Sequence, residues 1–188
     1  GGAGLFWAIE NATIKNLVID ESCSIESTNN IAGGLCAAAS GDVVIDNVTN
    51  HASVTGVTQA GGLVGQVMGY AIFTVTNCVN TGSIAATSTA EDIDTFAGGI
   101  AGCIIDGQNT TLENVSNVGG VSSSSKTQAY AGGIVGLTAS VLKLIGVTNE
   151  GKVTASGTVY ATAGGIAGLT EVNAEVSKAH NTGDVEAT

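Results

Sequence analysis

The chain has 188 residues, 28 of them Gly and none Pro, with 4% aromatic and 11% charged residues. Its formal net charge is −11, and all five basic residues are Lys. This balance lacks the clustered Lys and Arg of a nucleic-acid binder, the Pro and three-residue Gly period of collagen, and, at 44% hydrophobic residues, the polar bias of a disordered chain.

No apolar run reaches the roughly 20 residues of a membrane helix, so no membrane insertion is expected. The length suits one domain over 1–188. The pattern is already running at Gly1, with no basic segment and apolar core before it. A part of a larger polypeptide is therefore expected.

Along the chain, a degenerate copy, Ala3-Gly4-Leu5-Phe6, comes first. The tetrapeptide Ala-Gly-Gly-(Leu/Ile) then begins at Ala32, Ala60, Ala97, Ala131 and Ala163, in steps of 28, 37, 34 and 32 residues. Such a period marks a solenoid. A second signature, Asn-x-Gly-x-Val in its full form, follows at Asn50, Asn80, Asn117, Asn149 and Asn181. Five residues before each Asn stand Ile45, Val75, Leu112, Leu144 and Val176. Two before stand Val48, Cys78, Val115, Val147 and Ala179. Fixed apolar offsets place these side chains in the interior, stacked from unit to unit.

Each unit offers three short strands: one carrying Gly-Gly-Ile/Leu, one alternating stretch such as Phe73-Thr74-Val75-Thr76, and one after the Asn turn such as Lys152-Val153-Thr154-Ala155. Period-2 alternation and β-branched content favour strand over helix. The expected fold is all-β: a right-handed parallel β-helix of about six coils, three short strands per coil. The Asn column at Asn50, Asn80, Asn117, Asn149 and Asn181 is expected to form a side-chain amide ladder. Asn47 and Asn114 also recur at one equivalent position.

The runs Ala60-Gly61-Gly62-Leu63-Val64-Gly65, Ala131-Gly132-Gly133-Ile134-Val135-Gly136 and Ala163-Gly164-Gly165-Ile166-Ala167-Gly168, with Asn80-Thr81-Gly82-Ser83-Ile84, resemble the GLUG repeat. The resemblance implies a secreted or wall-attached bacterial protein. Such repeats occur in adhesin-like proteins and in the non-catalytic part of immunoglobulin-A-cleaving metallopeptidases. The family pattern carries no catalytic residues.

Candidate chemistry is sparse. Cys23, Cys36, Cys78 and Cys103 lack zinc-site spacing. Cys36 aligns with Val64, Ala101, Val135 and Ala167, and Cys78 with Val48 and Val115, as small core fillers. Cys103 aligns with Gln66 and Leu137 and is expected to be partly exposed. His51 and His180 do not stack. The acidic run Glu91, Asp92 and Asp94 is a weak Ca²⁺ candidate; paired carboxylates of a carbohydrate-active β-helix are the alternative. Phe96, Tyr130 and Tyr160 suggest a short aromatic row for a sugar or a partner. Ser122–Ser125 is expected as a loop. The expected function is a non-catalytic adhesin or stalk at the bacterial cell surface. It would need no cofactor. Its partners would be a host or microbial glycan or protein and neighbouring repeats of the same polypeptide. The alternatives are a polysaccharide lyase or glycoside hydrolase, and a substrate-positioning arm of a secreted protease.

Overall fold

The computed structural model describes the backbone of residues 1–188 and every side chain except those of Tyr70 and Ala71. Among these residues there is no helix, and every strand pairing is parallel. The chain winds through about six coils, each contributing to three sheets.

The largest sheet holds 14 strands. Its core is the run Phe6–Glu10, Cys36–Asn50, Val64–Thr76, Ala101–Ile104, Val135–Thr138 and Ala167–Thr170. A second sheet stacks Ser24–Glu26, Ser53–Gly56, Ile84–Thr87, Val121–Ser125, Val153–Gly157 and Val185–Ala187. The third stacks Ile31–Gly33, Gln59–Gly61, Thr95–Gly98, Gln128–Gly132 and Tyr160–Gly164.

Two expectations about local structure are corrected here. The Gly-Gly-Leu/Ile segment is a corner, not a strand: the third sheet ends at the first Gly, and the largest sheet resumes two residues after the second. Sterics explain the corner. A Cβ on Gly132 would lie 1.8 Å from the carbonyl oxygen of Val135, so only Gly lets the chain close there. Likewise Ser122–Ser125 is strand, paired to Ile84–Thr87 on one side and Val153–Gly157 on the other. Ser123 and Ser125 point inward, where their hydroxyls donate to the carbonyls of Thr95 and Ile93. Alternation therefore survives in a run of identical residues.

A further corner is made by left-handed residues. Asn16, Asn47, Asn77, Asn114, Gly146 and Lys178 all have φ between 52° and 61°. They recur once per coil, at the bend before the ladder Asn. Asn tolerates this conformation better than other side chains. The recurrence of Asn47 and Asn114 noted in the sequence has this origin.

The interior is two apolar clusters. In the larger, Leu35, Leu63, Ile100 and Ile134 from the corner pack with Ile45, Val75, Leu112 and Leu144. In the smaller, Ala32, Ala60, Ala97 and Ala131 face Val54, Ile84, Val121 and Val153. The space between the second and third sheets is filled by small side chains, Ala opposite Val or Ile at one level and Thr95 against Ser123 at another. Dense Gly and Ala and scarce aromatics are thus consequences of a narrow bore.

One interior position conflicts with its surroundings. Thr110 stands between Phe73 and Leu142 in the ladder, is 1% exposed, and its hydroxyl has no hydrogen-bond partner. An unpaired buried hydroxyl costs free energy that the isosteric methyl does not. Thr110→Val should raise stability by about 1 kcal/mol, read as a higher urea midpoint at unchanged slope.

Candidate interaction surface

The column of Asn50, Asn80, Asn117, Asn149 and Asn181 is built from the bend upward. The left-handed residue turns the chain inward, and the Asn three residues later points into the bore. Each amide Nδ2 donates to the Oδ1 of the next Asn: 2.8 Å from Asn50 to Asn80, 2.7 Å to Asn117, 2.8 Å to Asn149 and 2.8 Å to Asn181. The second hydrogen goes to the carbonyl two residues ahead, as from Asn117 to Gly119 at 2.8 Å. Asn50, Asn80, Asn117 and Asn149 are fully buried. The Gly-Gly corner lies against the same amides. A Cβ on Gly99 would stand 2.4 Å from Cγ of Asn117 and 2.1 Å from the carbonyl of Gly133. The two sequence signatures, some 18 residues apart, are therefore halves of one packing unit. In the first coil the ladder position holds Ile19, paired with Asn50.

The outer surface is acidic, and four of its five Lys residues lean on acids one coil away: Lys15 on Asp46, Lys126 on Glu91, Lys143 on Glu175 and Lys152 on Glu186, at 3.0 to 3.7 Å. The hydroxyl of Thr76 and the amide of Asn77, with Lys15 adding, hold the Asp46 carboxyl below its ordinary range. Hydrogen bonding to Glu186 raises Lys152. These pairs are exposed and contribute little to stability.

The acidic run and the aromatic residues meet at one corner, between the second and third sheets on the fourth to sixth coils. Glu91 Oε1 lies 3.7 Å from Lys126 Nζ, and Asp94 accepts the backbone N–H of Gln128 at 3.1 Å. Thr95 and Ser123 hydroxyls are 2.8 Å apart. The loop 88–94 is thereby tied to the next coil. Glu91, Asp92 and Asp94 do not converge, and among the described residues no three His, Cys, Asp or Glu side chains are grouped to hold a metal.

Phe96 and Tyr130 are ladder neighbours, with ring centroids 5.3 Å apart and planes 10° from parallel. The rings therefore face each other along the stack. Tyr130 donates its hydroxyl hydrogen to Gln128 Oε1. Burial, with Asp94, Glu171 and Tyr160 adding, raises its phenol. Tyr160 does not continue this column. The ladder mate of Tyr130 is Thr162, and Tyr160 faces Gln128, because it stands four residues before its Gly pair instead of two. It lies diagonally beside the stack and is 64% exposed. The side chain of Tyr70 lies outside the described residues.

A groove of about 390 Å³ at this corner is lined by Glu91, Lys126 and Thr158. Another, of about 450 Å³, crosses the largest sheet at Thr111, Lys143 and Glu175. A third, of about 300 Å³, is apolar and lies beside Trp7, Ile31 and Met68. Each of these grooves has at most one carboxylate in its wall.

The remaining sequence candidates are dispersed. His51 Nδ1 and the Thr81 hydroxyl are 2.6 Å apart, while His180 pairs with Thr148 four coils further on. Cys36 and Cys78 are buried in the apolar columns. Cys103 is buried too, at 3% exposure, contrary to expectation. It shares its column with Gln66 and Leu137, whose longer side chains flank it on both coils. All four thiols are free, and only Cys23 is exposed. Burial pushes Cys36 and Cys103 up to about 12 and Cys78 up to about 11.

This geometry defines a class, a parallel β-solenoid with an internal amide ladder. Residues 56–85 match the family model described as the GLUG motif. A solved structure described as "a putative immunoglobulin A1 protease from Bacteroides ovatus" superposes with a TM-score of 0.53 at 17% identity. The similarity covers 93% of this chain and 65% of that one, and at that identity it shows the fold. The chain thus spans about 65% of the length of the structure it matches. No curated protein matches the sequence.

Two measurements check the interior. Asn117→Ala removes a ladder donor and acceptor and leaves one amide hydrogen of Asn80 and the Oδ1 of Asn149 without a partner in the bore. It should cost about 3 kcal/mol in urea unfolding, against less than about 1 kcal/mol for the exposed Asn181→Ala. Thiol titration should find one reactive group in the folded chain and four in denaturant, since only Cys23 is accessible. The raised thiols keep their protons in the folded state while the unfolded thiols ionise. Stability should therefore fall as pH rises from 9.0 towards about 12, and less steeply when Cys36, Cys78 and Cys103 are replaced by Ala.

Proposed function

We propose that this chain is a non-catalytic module of a bacterial cell-surface protein, a stalk whose lateral corner meets a glycan or protein partner outside the cell. The observation that carries the reading is the corner itself. The loop 88–94 is tied to the following coil at Gln128, whose ladder mate one coil further on is the exposed Tyr160. Exposed Tyr on a rigid frame contributes contact area at low entropy cost. The stacked coils beneath hold that corner in one geometry. The module needs no cofactor for this role. A glycoside hydrolase would bring two carboxylates into one groove, an arrangement that none of the grooves described above has.

The second reading, a substrate-positioning arm of a secreted protease, is favoured by the likeness in fold to the structure described as a putative immunoglobulin A1 protease. In that role the same corner would contact an immunoglobulin or other substrate protein.

Arrays of glycans and matrix proteins, with immunoglobulins included, test the proposal. Binding above background should fall roughly tenfold on Tyr160→Ala, the loss of one aromatic contact. A signal confined to immunoglobulins would select the protease arm. No signal on any array component would overturn the binding role and leave a spacer.

A further inference from the structure

The chain contains one Asp-Gly dipeptide, Asp106-Gly107, and no Asn-Gly. An aspartyl residue cyclises readily before Gly, because no side chain shields the attacking nitrogen. The fold explains why this pair stands here. Ile9, Ala39, Val67 and Ile104 are ladder partners in the largest sheet. Two residues after each, Asn11, Gly41, Gly69 and Asp106 have φ of 49°, 68°, 77° and 57°. This corner is left-handed in the first four coils, and Asp, Asn and Gly are the residues that tolerate it. The next position in the fourth coil must lack a side chain. A Cβ on Gly107 would stand 2.8 Å from Oγ of Ser140 and 3.2 Å from its Cβ. Corner and contact together select Asp followed by Gly.

The same contact engages the reactive nitrogen. The Gly107 N–H donates to Oγ of Ser140, on the next coil, at 2.7 Å. Ser140 is 2% exposed and is itself held in place. Its N–H donates to Oγ1 of Thr138 at 3.2 Å, and that hydroxyl donates to the Ser140 carbonyl at 3.3 Å. Asp106 is exposed, with water at hand.

We propose that Asp106-Gly107 is a self-modification site, where aspartate isomerises to isoaspartate with water as the only co-reactant, and that Ser140 is the positioning residue that restrains it. In the first step the Gly107 nitrogen attacks Cγ of Asp106. An N–C bond forms, a C–O bond breaks, and the carboxyl hydroxyl leaves with the amide proton as water. Water then adds to the main-chain carbonyl of the succinimide ring and breaks its bond to nitrogen. The product has the same atoms, and nothing is oxidised or reduced. Its main chain is one carbon longer between Ala101–Ile104 and Asn109–Glu113, strands whose register is set by neighbours on both sides. In the fold the nitrogen must first leave Ser140, so ring closure waits on a local opening of the corner.

The proposal is independent of the adhesin reading and is tested on the full chain, aged at neutral pH both folded and in urea. Peptides spanning 106–107 are scored by mass spectrometry after digestion with an endoprotease that cuts before Asp and not before isoaspartate. Isoaspartate should form at Asp106 ahead of every other Asp, and roughly tenfold or more slowly in the folded chain than in urea. Ser140→Ala should speed it roughly three- to tenfold in the folded chain, the change in opening that one lost hydrogen bond allows. Asn181→Ala, a change in a distant coil, should leave the rate at Asp106 unchanged. Asp106→Asn keeps the left-handed turn and loses ammonia on ring closure, so its protection reads as a slowed mass gain with Ser140 intact. Equal rates folded and in urea, for the unaltered chain or for Asp106→Asn, would overturn the proposal. So would a folded Ser140→Ala chain that ages at the unaltered rate, an equal acceleration by Asn181→Ala, or isoaspartate that appears first at another Asp.

Discussion

The structure depends on a row of primary amides kept away from water. An Asn side chain in an apolar bore is costly unless both its donors and its acceptor are paired. Here the pairing is possible only if each coil from the second onward presents an Asn at the same height and angle. Each amide has one partner in its own coil and one in the next. A one-residue slip in any coil would leave two amides unpaired and turn that coil's apolar set outward. The ladder thus ties the local turn to the long-range register. The Gly-Gly corner follows from it, because the amide occupies the space where a Cβ at Gly99 or Gly133 would be.

With register fixed from inside, outward positions are free to vary. The steps between repeats differ by up to nine residues, and the difference is absorbed in bends and in the loop 88–94 without disturbing the Asn column. The same freedom lets surface charge settle pairwise, each cross-coil Lys finding an acid in a neighbouring coil. A net charge of −11 is tolerable because it is spread along the outside of a rod, far from the bore.

Much of this was legible in the sequence. The Asn-to-Val offset of four places five Asn residues in one column, and the structure hydrogen-bonds them in that order. The apolar offsets before each Asn locate the interior. What escaped had a physical reason in each case. Tyr160 sits four residues from its Gly pair, and proximity to a motif is not register. Cys103 lies at an outward position, but burial there is set by the length of Gln66 and Leu137 on adjacent coils. The left-handed corner was hidden because Asn, Gly and Lys share a backbone conformation and not a chemistry. Ser122–Ser125 looked like a loop by composition, although its backbone pairs on both sides and half its hydroxyls are satisfied indoors.

The same logic bears on where function can reside. Residues that repeat in register are explained by stacking: the Asn column by its amide bonds, the Gly pairs by close approach, the small cysteines by bore size. Residues that interrupt the pattern are not. Phe96 and Tyr130 take a column that elsewhere holds Ile31, Gln59 and Thr162. The loop 88–94 lengthens one coil alone, and Ile19 ends a column of Asn. A solenoid pays for stability with repetition, so its specificity must be written in such departures. Those at the lateral corner, Phe96, Tyr130 and the loop 88–94, are the departures on which the proposed contact rests.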